Sequence, residues 1–274
     1  MRMLVVDAFT DRPFAGNPAG VCLLDASADP AWMQRVAAEM RHSETAFVRT
    51  LPDDADADFE VRWFTPSVEV ALCGHATLAA AHALYETGTV LSDRPIRFRT
   101  LRSGVLTVRC GASGLLEMDF PATPPGPVPA PGGLAEALGV PLVWTGRTAQ
   151  TDLLVEVPGE KAVRGLAPDI AAVAAFDARA VIVTAPSDDP AGGSDFVSRV
   201  FGPRVGIDED PVTGSAHCAL APYWAGRLGR DALRGRQLSE RGGLVRTEVR
   251  GARVVLSGDA VTVLDGELKA DPRS

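Results

Sequence analysis

The chain has 274 residues, of which 46% are hydrophobic and 23% charged. That balance excludes a mostly disordered protein, and at roughly 150 residues per domain the length suggests two domains. The 27 Lys and Arg against 35 Asp and Glu leave a net charge of −8, so the chain lacks the broad basic face that nucleic-acid binding requires.

In chain order, residues 3–9 are apolar and β-prone. Residues 11–18 read as a turn punctuated by Pro13, Gly16 and Pro18, and residues 21–24 resume a strand. Asp29 and Pro30 supply an N-cap and a first-turn proline for a helix reaching about Met40. Strands are expected at 45–49 and 59–64. After Cys73 and Gly74, residues 75–85 form a helix that is hydrophobic nearly all round and stopped by Gly88. Such a helix belongs inside a domain. Strands follow near 96–99, 104–109 and 115–119.

Residues 121–133 carry repeated prolines, which deny the donors a sheet needs and predict an extended linker. This predicts an N-terminal lobe over 1–121 and a C-terminal lobe over 122–274, the last strand being free to return to the N-terminal lobe. In the second half, strands are expected at 180–184 and 195–201, with a second Ala-rich helix at 215–221. The halves also share a pattern. Phe64-Thr65-Pro66, a loop and Gly74-His75-Ala76 match Phe201-Gly202-Pro203, a loop three residues longer and Gly214-Ser215-Ala216. The expectation is an α+β fold of two pseudo-symmetric lobes, each a sheet rolled around a central helix.

If the halves face each other, Gly74 and Gly214 bring two helix N-termini to one cleft. Each offers free backbone N–H groups and about half a positive charge, which together suit a carboxylate. Both glycines also serve simply as tight-turn residues. Glu44, just before an apolar strand, and Asp210, on the loop feeding the second helix, are candidate proton carriers if shielded from water. Read alone, Glu44 is equally a turn residue and Asp210 before Pro211 a turn former. His75 has a bland role as a first-turn residue, His82 and His217 read as structural, and His42 is open.

Four scattered cysteines without a CxxC pair argue against a zinc ribbon or a disulfide framework. Cys22, Cys110 and Cys218 read as small buried hydrophobes. Cys73 stands before the first helix, where the N-terminus lowers a thiol pKa. Its mirror position is Thr213, so a two-thiol racemase mechanism is not available. Arg230, Arg234 and Arg236 cluster but read as a solvated face. An acid at Asp7 interrupts the N-terminal apolar run too early for a secretory signal, and no apolar stretch nears the length of a membrane span. A cytoplasmic location is expected, with neither nucleic acid nor membrane as a partner.

Four motifs carry a family resemblance: Asp7-Ala8-Phe9-Thr10 with Gly16-Asn17-Pro18-Ala19; Ser43-Glu44-Thr45-Ala46-Phe47; Cys73-Gly74-His75-Ala76-Thr77; and Glu209-Asp210-Pro211-Val212-Thr213-Gly214-Ser215-Ala216-His217. In order and along nearly the whole chain, this resembles the PhzF family of phenazine-biosynthesis-like isomerases. The resemblance implies the diaminopimelate-epimerase-like fold with the active site between two lobes, a homodimer, and no metal or organic cofactor. It implies Glu44 as general acid/base, with Asp210, His75 and Ser215 hydrogen bonding to the substrate. Asn17 then lines the pocket, and Gly74 and Gly214, beside Cys73 and Thr213, receive the carboxylate. The expected function is proton transfer on a small carboxylate-bearing substrate; a non-catalytic acid-binding or dimer-forming protein is the alternative.

Overall fold

The computed structural model describes residues 1–270. The chain divides into one unit of Met1–Asp119 plus the residues from Ser257 onward, and a second unit of Phe120–Leu256. The last four residues of the expected second lobe, 271–274, lie outside the described residues.

In the first unit, Arg2–Ala8 pairs antiparallel with Asn17–Leu24, which pairs in parallel with Glu44–Thr50. Phe59–Phe64 runs antiparallel to Glu44–Thr50 and takes both Glu69–Val70, antiparallel, and Ile96–Arg99, parallel, on its other side. Val105–Cys110 pairs with Ile96–Arg99 and then with Leu116–Pro121. The last strand, Ala260–Glu267, lies antiparallel to Arg2–Ala8.

The helix Gly74–Glu86 packs on the first three of these strands. Ala76, Leu78, Ala79, Ala80, Ala81, Ala83 and Leu84 are all buried. Alanine side chains let the sheet approach the helix axis closely, and an all-apolar helix needs cover on every side. The opposite sheet face supplies Met3, Cys22 and Phe47 to a second cluster, with Trp32, Met33 and Val36 of the helix Pro30–Met40. Asp29 caps that helix by accepting from the Ala31 N–H at 2.8 Å, as expected for Asp at an N-cap.

The second unit repeats these pairings. Trp144–Arg147 pairs antiparallel with Leu153–Glu156, which pairs in parallel with Val181–Pro186. Phe196–Gly202 runs antiparallel to Val181–Pro186 and takes Ile207–Asp210, antiparallel, and Ala232–Gln237, parallel. Gly243–Arg250 then pairs with Ala232–Gln237. Side chains repeat as well. Arg62 forks onto Glu69 at 2.7 and 2.8 Å and lies over the Phe64 ring. Arg199 forks onto Glu209 at 2.7 Å and lies over the Phe201 ring. The extra length of the second loop forms the 3-10 turn Pro203–Val205.

The second central helix runs Gly214–Leu228, well beyond the expected 215–221, with Pro222 inside it. A proline there removes the N–H that would bond the carbonyl four residues back. That carbonyl, on Cys218, instead accepts from the Thr123 N–H at 3.0 Å. Thr123 belongs to the proline-rich segment, which is therefore no free linker. Ala122 bonds the Ala252 carbonyl, Val128 bonds the Thr145 carbonyl, and Gly126–Pro127 pairs with Trp144–Arg147. The non-proline residues supply the donors that the prolines lack.

Two smaller expectations also change. Arg230 and Arg234 are not simply solvated, because both reach the buried Asp195 carboxylate, at 2.5 and 3.9 Å. Cys110 is half-buried, while Cys22, Cys73 and Cys218 are buried, and all four thiols are free. Among the described residues no helix is long and apolar enough to cross a membrane.

Candidate functional site

The expected site residues fall into two groups, one in each unit. In the first unit, Asn17 opens the second strand, Glu44 opens the parallel strand beside it, and Cys73, Gly74 and His75 form the start of the central helix. The strand register sets Glu44 opposite Ala19, two residues beyond Asn17. Strand starts and helix start thus bring these residues together.

His75 is their hub. Its Nδ1 accepts from Asn17 Nδ2 at 3.3 Å, with Cys73 Sγ 3.5 Å away. Accepting at Nδ1 leaves the proton on Nε2, which faces Glu44 Oε2 at 3.3 Å without the alignment of a formed hydrogen bond. Glu44 is 9% exposed and His75 5% exposed. Burial, reinforced by the positive potential of His42, lowers the His75 pKa to about 3. The imidazole is therefore neutral near pH 7, and its approach to Glu44 is no ion pair. A neutral donor of this kind can hold a carboxylate in place without fixing its proton.

Cys73 provides no side-chain cap for the helix, and the first turn carries no acid. The Cys73 carbonyl is held by Thr77, through its N–H at 3.2 Å and its hydroxyl at 2.6 Å. The opening N–H groups and the positive end of the helix dipole are thus left for an anion.

The second unit builds its helix start from different side chains. Thr213 is the N-cap residue and Gly214 and Ser215 follow, again without a side-chain cap or a first-turn acid. The Thr213 hydroxyl donates to Asp210 Oδ2 at 2.5 Å. Thr213 therefore orients Asp210, and its own hydroxyl is not set up as a base. His217 occupies the place that Thr77 has in the first unit: its Nδ1 bonds the Thr213 carbonyl at 2.8 Å. Burial lowers the His217 pKa to about 4 against the opposing pull of that carbonyl, so His217 is a structural residue, as its sequence position suggested. Glu209, beside Asp210, is engaged by Arg199.

Two residues absent from the sequence reading complete this group. Gln237 is fully buried. Its Oε1 accepts from the Thr213 N–H at 2.9 Å, and its Nε2 donates to the Asp210 carbonyl at 2.6 Å. Arg179 grips the buried Asp152 at 2.8 and 2.7 Å and reaches Ser215 Oγ at 3.4 Å. Neither residue adjoins a motif, so no local sequence signal marks them. A cavity of about 70 Å³ lies inside this unit, walled by Ile182, Val200 and Ile207 with Asp210, Thr213 and Arg179 at its polar side.

The remaining histidines stay outside both groups. His82 is largely buried and lies 3.7 Å from Glu86. His42 makes itself felt only through its charge on His75.

The phenazine biosynthesis-like protein family model (PhzC-PhzF) matches residues 6–266. An uncharacterized isomerase of Pseudomonas aeruginosa is 50% identical over 96% of this chain and 96% of its own. Another, from Halalkalibacterium halodurans, is 44% identical over 96% and 97%. The crystal structure of a PhzF-family phenazine biosynthesis protein from Enterococcus faecalis superposes with TM-score 0.90 at 38% identity, covering 98% of this chain and 99% of that one. A probable proline racemase from Agrobacterium radiobacter shares the fold alone, with TM-score 0.63 at 14% identity over 99% and 93%. The pairing order, the two glycine-led central helices and the nearly full-length matches all agree: this chain belongs to the phenazine biosynthesis-like PhzC-PhzF family, of the mixed α+β fold that PhzF proteins share with proline racemases and epimerases.

Proposed function

We propose that the protein is an isomerase that moves a proton on a small carboxylate-bearing molecule, with Glu44 as the general acid/base. The observation that carries this reading is the approach of Glu44 to a neutral His75 at 3.3 Å, beside an uncapped helix start. The isomerase names of the relatives support it. The Glu44 carboxylate takes a proton from a substrate carbon, and the C–H electrons pass into the adjoining π-system. The resulting carboxylic acid then returns the proton to the same or another carbon. Backbone N–H groups at Gly74 and His75 hold the substrate carboxylate, and the His75 Nε2–H keeps Glu44 turned toward the carbon. Asp210, Ser215 and Gly214 enter as substrate-bonding groups on the strength of the family. A two-thiol mechanism is set aside because Cys73 is matched by Thr213, whose hydroxyl is donated to Asp210.

The test is deuterium incorporation into candidate carboxylic acids in deuterated buffer. Glu44→Gln should slow incorporation by about 10²- to 10⁴-fold, the usual contribution of such a group. Equal rates in the variant and the wild type would remove Glu44 from the chemistry. A candidate acid that binds without exchanging in either protein would favour a binding protein that keeps the fold.

A further inference from the structure

We infer that Glu44, Cys73 and His75 together form a binding site for a soft divalent cation of the zinc type. One donor atom from each of the three lies within 4.8 Å of the others, and all three residues are buried. A thiolate, an imidazole and a carboxylate are the donor types zinc prefers, and three protein ligands with one open position is the usual arrangement of a reactive zinc site. Sulfur and nitrogen bound to one tetrahedral zinc, at about 2.3 and 2.0 Å, stand about 3.5 Å apart. Cys73 Sγ and His75 Nδ1 are already 3.5 Å apart. The carboxylate must close in by no more than about an ångström, which side-chain torsion of Glu44 allows.

Charge and protonation favour the same occupant. A thiolate and a carboxylate balance a dication, so the filled site is neutral, which avoids the large cost of burying net charge. Because burial holds His75 in its neutral form near pH 7, its Nδ1 lone pair is available without first losing a proton. Cys73 supplies the one proton released: the S–H proton passes to buffer as the S–Zn bond forms. The donors also sit on rigid elements, two in the first turn of the central helix and one at a strand start. Binding therefore requires little reordering of the chain.

Metal binding itself is independent of the proposed reaction. If Glu44 carries the proton, an ion on its carboxylate also blocks turnover, and that corollary alone rests on the proposed function. The test is made on the full reduced chain with Zn²⁺ alone, read by competition with a chromophoric chelator, and with Co²⁺, read by absorption. The wild type should bind a single equivalent tightly. Its Co²⁺ complex should show a sulfur-to-cobalt charge-transfer band. Cys73→Ser should lose that band and weaken Zn²⁺ binding by more than about tenfold, the smaller of the losses seen when even an outer partner of a ligand is removed. His75→Gln should weaken it similarly, while Cys110→Ser, a half-buried thiol of the same unit, should bind as wild type does. Circular dichroism checks that each variant is folded, and the band in the wild-type complex gives a readout that needs no variant. A Co²⁺ complex without the band, or equal Zn²⁺ affinity in the wild type and Cys73→Ser, overturns the inference. Neither result depends on deuterium exchange, so failure of the metal site and failure of the proton-transfer proposal are separable.

Discussion

His75 and His217 are both buried imidazoles, yet they are kept neutral for different ends. Burial lowers both, to about 3 and about 4, while in the unfolded chain each titrates near 6.5. Above pH 6.5 both states are neutral and the histidines do not alter stability with pH. As pH falls below that value the unfolded chain takes up protons that the folded chain refuses, so stability is lost progressively down to the folded values. Urea midpoints should therefore decline between pH 6.5 and 5, above the range in which ordinary carboxylates titrate. The slope of that decline should be shallower in His75→Gln and in His217→Gln than in wild type. A slope unchanged in both variants would mean that these imidazoles are open to solvent protons in the fold.

At the level of elements, the two central helices begin with the same backbone and different chemistry. In the first, Cys73 and His75 stand where Thr213 and Ser215 stand in the second, and the carbonyl of the N-cap residue is held by Thr77 in one and His217 in the other. Gln237 fastens the second start from a neighbouring strand. Gln237→Ala leaves the Thr213 N–H and the Asp210 carbonyl without their partner. Buried groups so stranded cost about 1–3 kcal/mol each, so the urea-unfolding free energy should drop by about 2–4 kcal/mol. A loss below that range would mean that water takes over both bonds. This asymmetry also marks what the sequence could reveal. Asn17, Glu44 and the residues around Gly74 were legible because each sits at an element end, where turn and cap chemistry leave a local signature. Gln237 closes a strand whose register with Phe196–Gly202 is long-range, and nothing in Arg234-Gly235-Arg236-Gln237 spells its partner. The helix past Ala221 was hidden for a similar reason. Pro222 reads as a stop until Thr123 is seen on the orphaned Cys218 carbonyl. Much of the stretch from 134 to 179 consists of five-residue helices and four-residue strands, too short for a periodic signal to separate from chance.

Across the whole molecule, the first unit is assembled from both ends of the chain. The strand Ala260–Glu267 pairs along all of Arg2–Ala8, and the Leu268 N–H reaches the Met1 carbonyl at 2.9 Å. The chain ends are therefore neighbours, and the final strand covers a ladder edge that carries Leu4 and Val6 of the core. Ending the chain at Leu256 would strip that ladder and open the edge to solvent, with loss of buried apolar area at about 25 cal/mol per Å² and an exposed template for aggregation. The neighbouring ends instead favour rearrangement without loss. A circular permutant joining Ala270 to Met1 through a short Gly/Ser linker, and opened at the exposed turn between Ser113 and Gly114, keeps every strand pairing of the unit. It should unfold in a single cooperative urea transition with a midpoint close to that of the wild type, whereas the chain ending at Leu256 should show no such transition or aggregate. If the shortened chain instead melts at the wild-type midpoint, the last strand is an accessory and the first unit is complete within its first 119 residues.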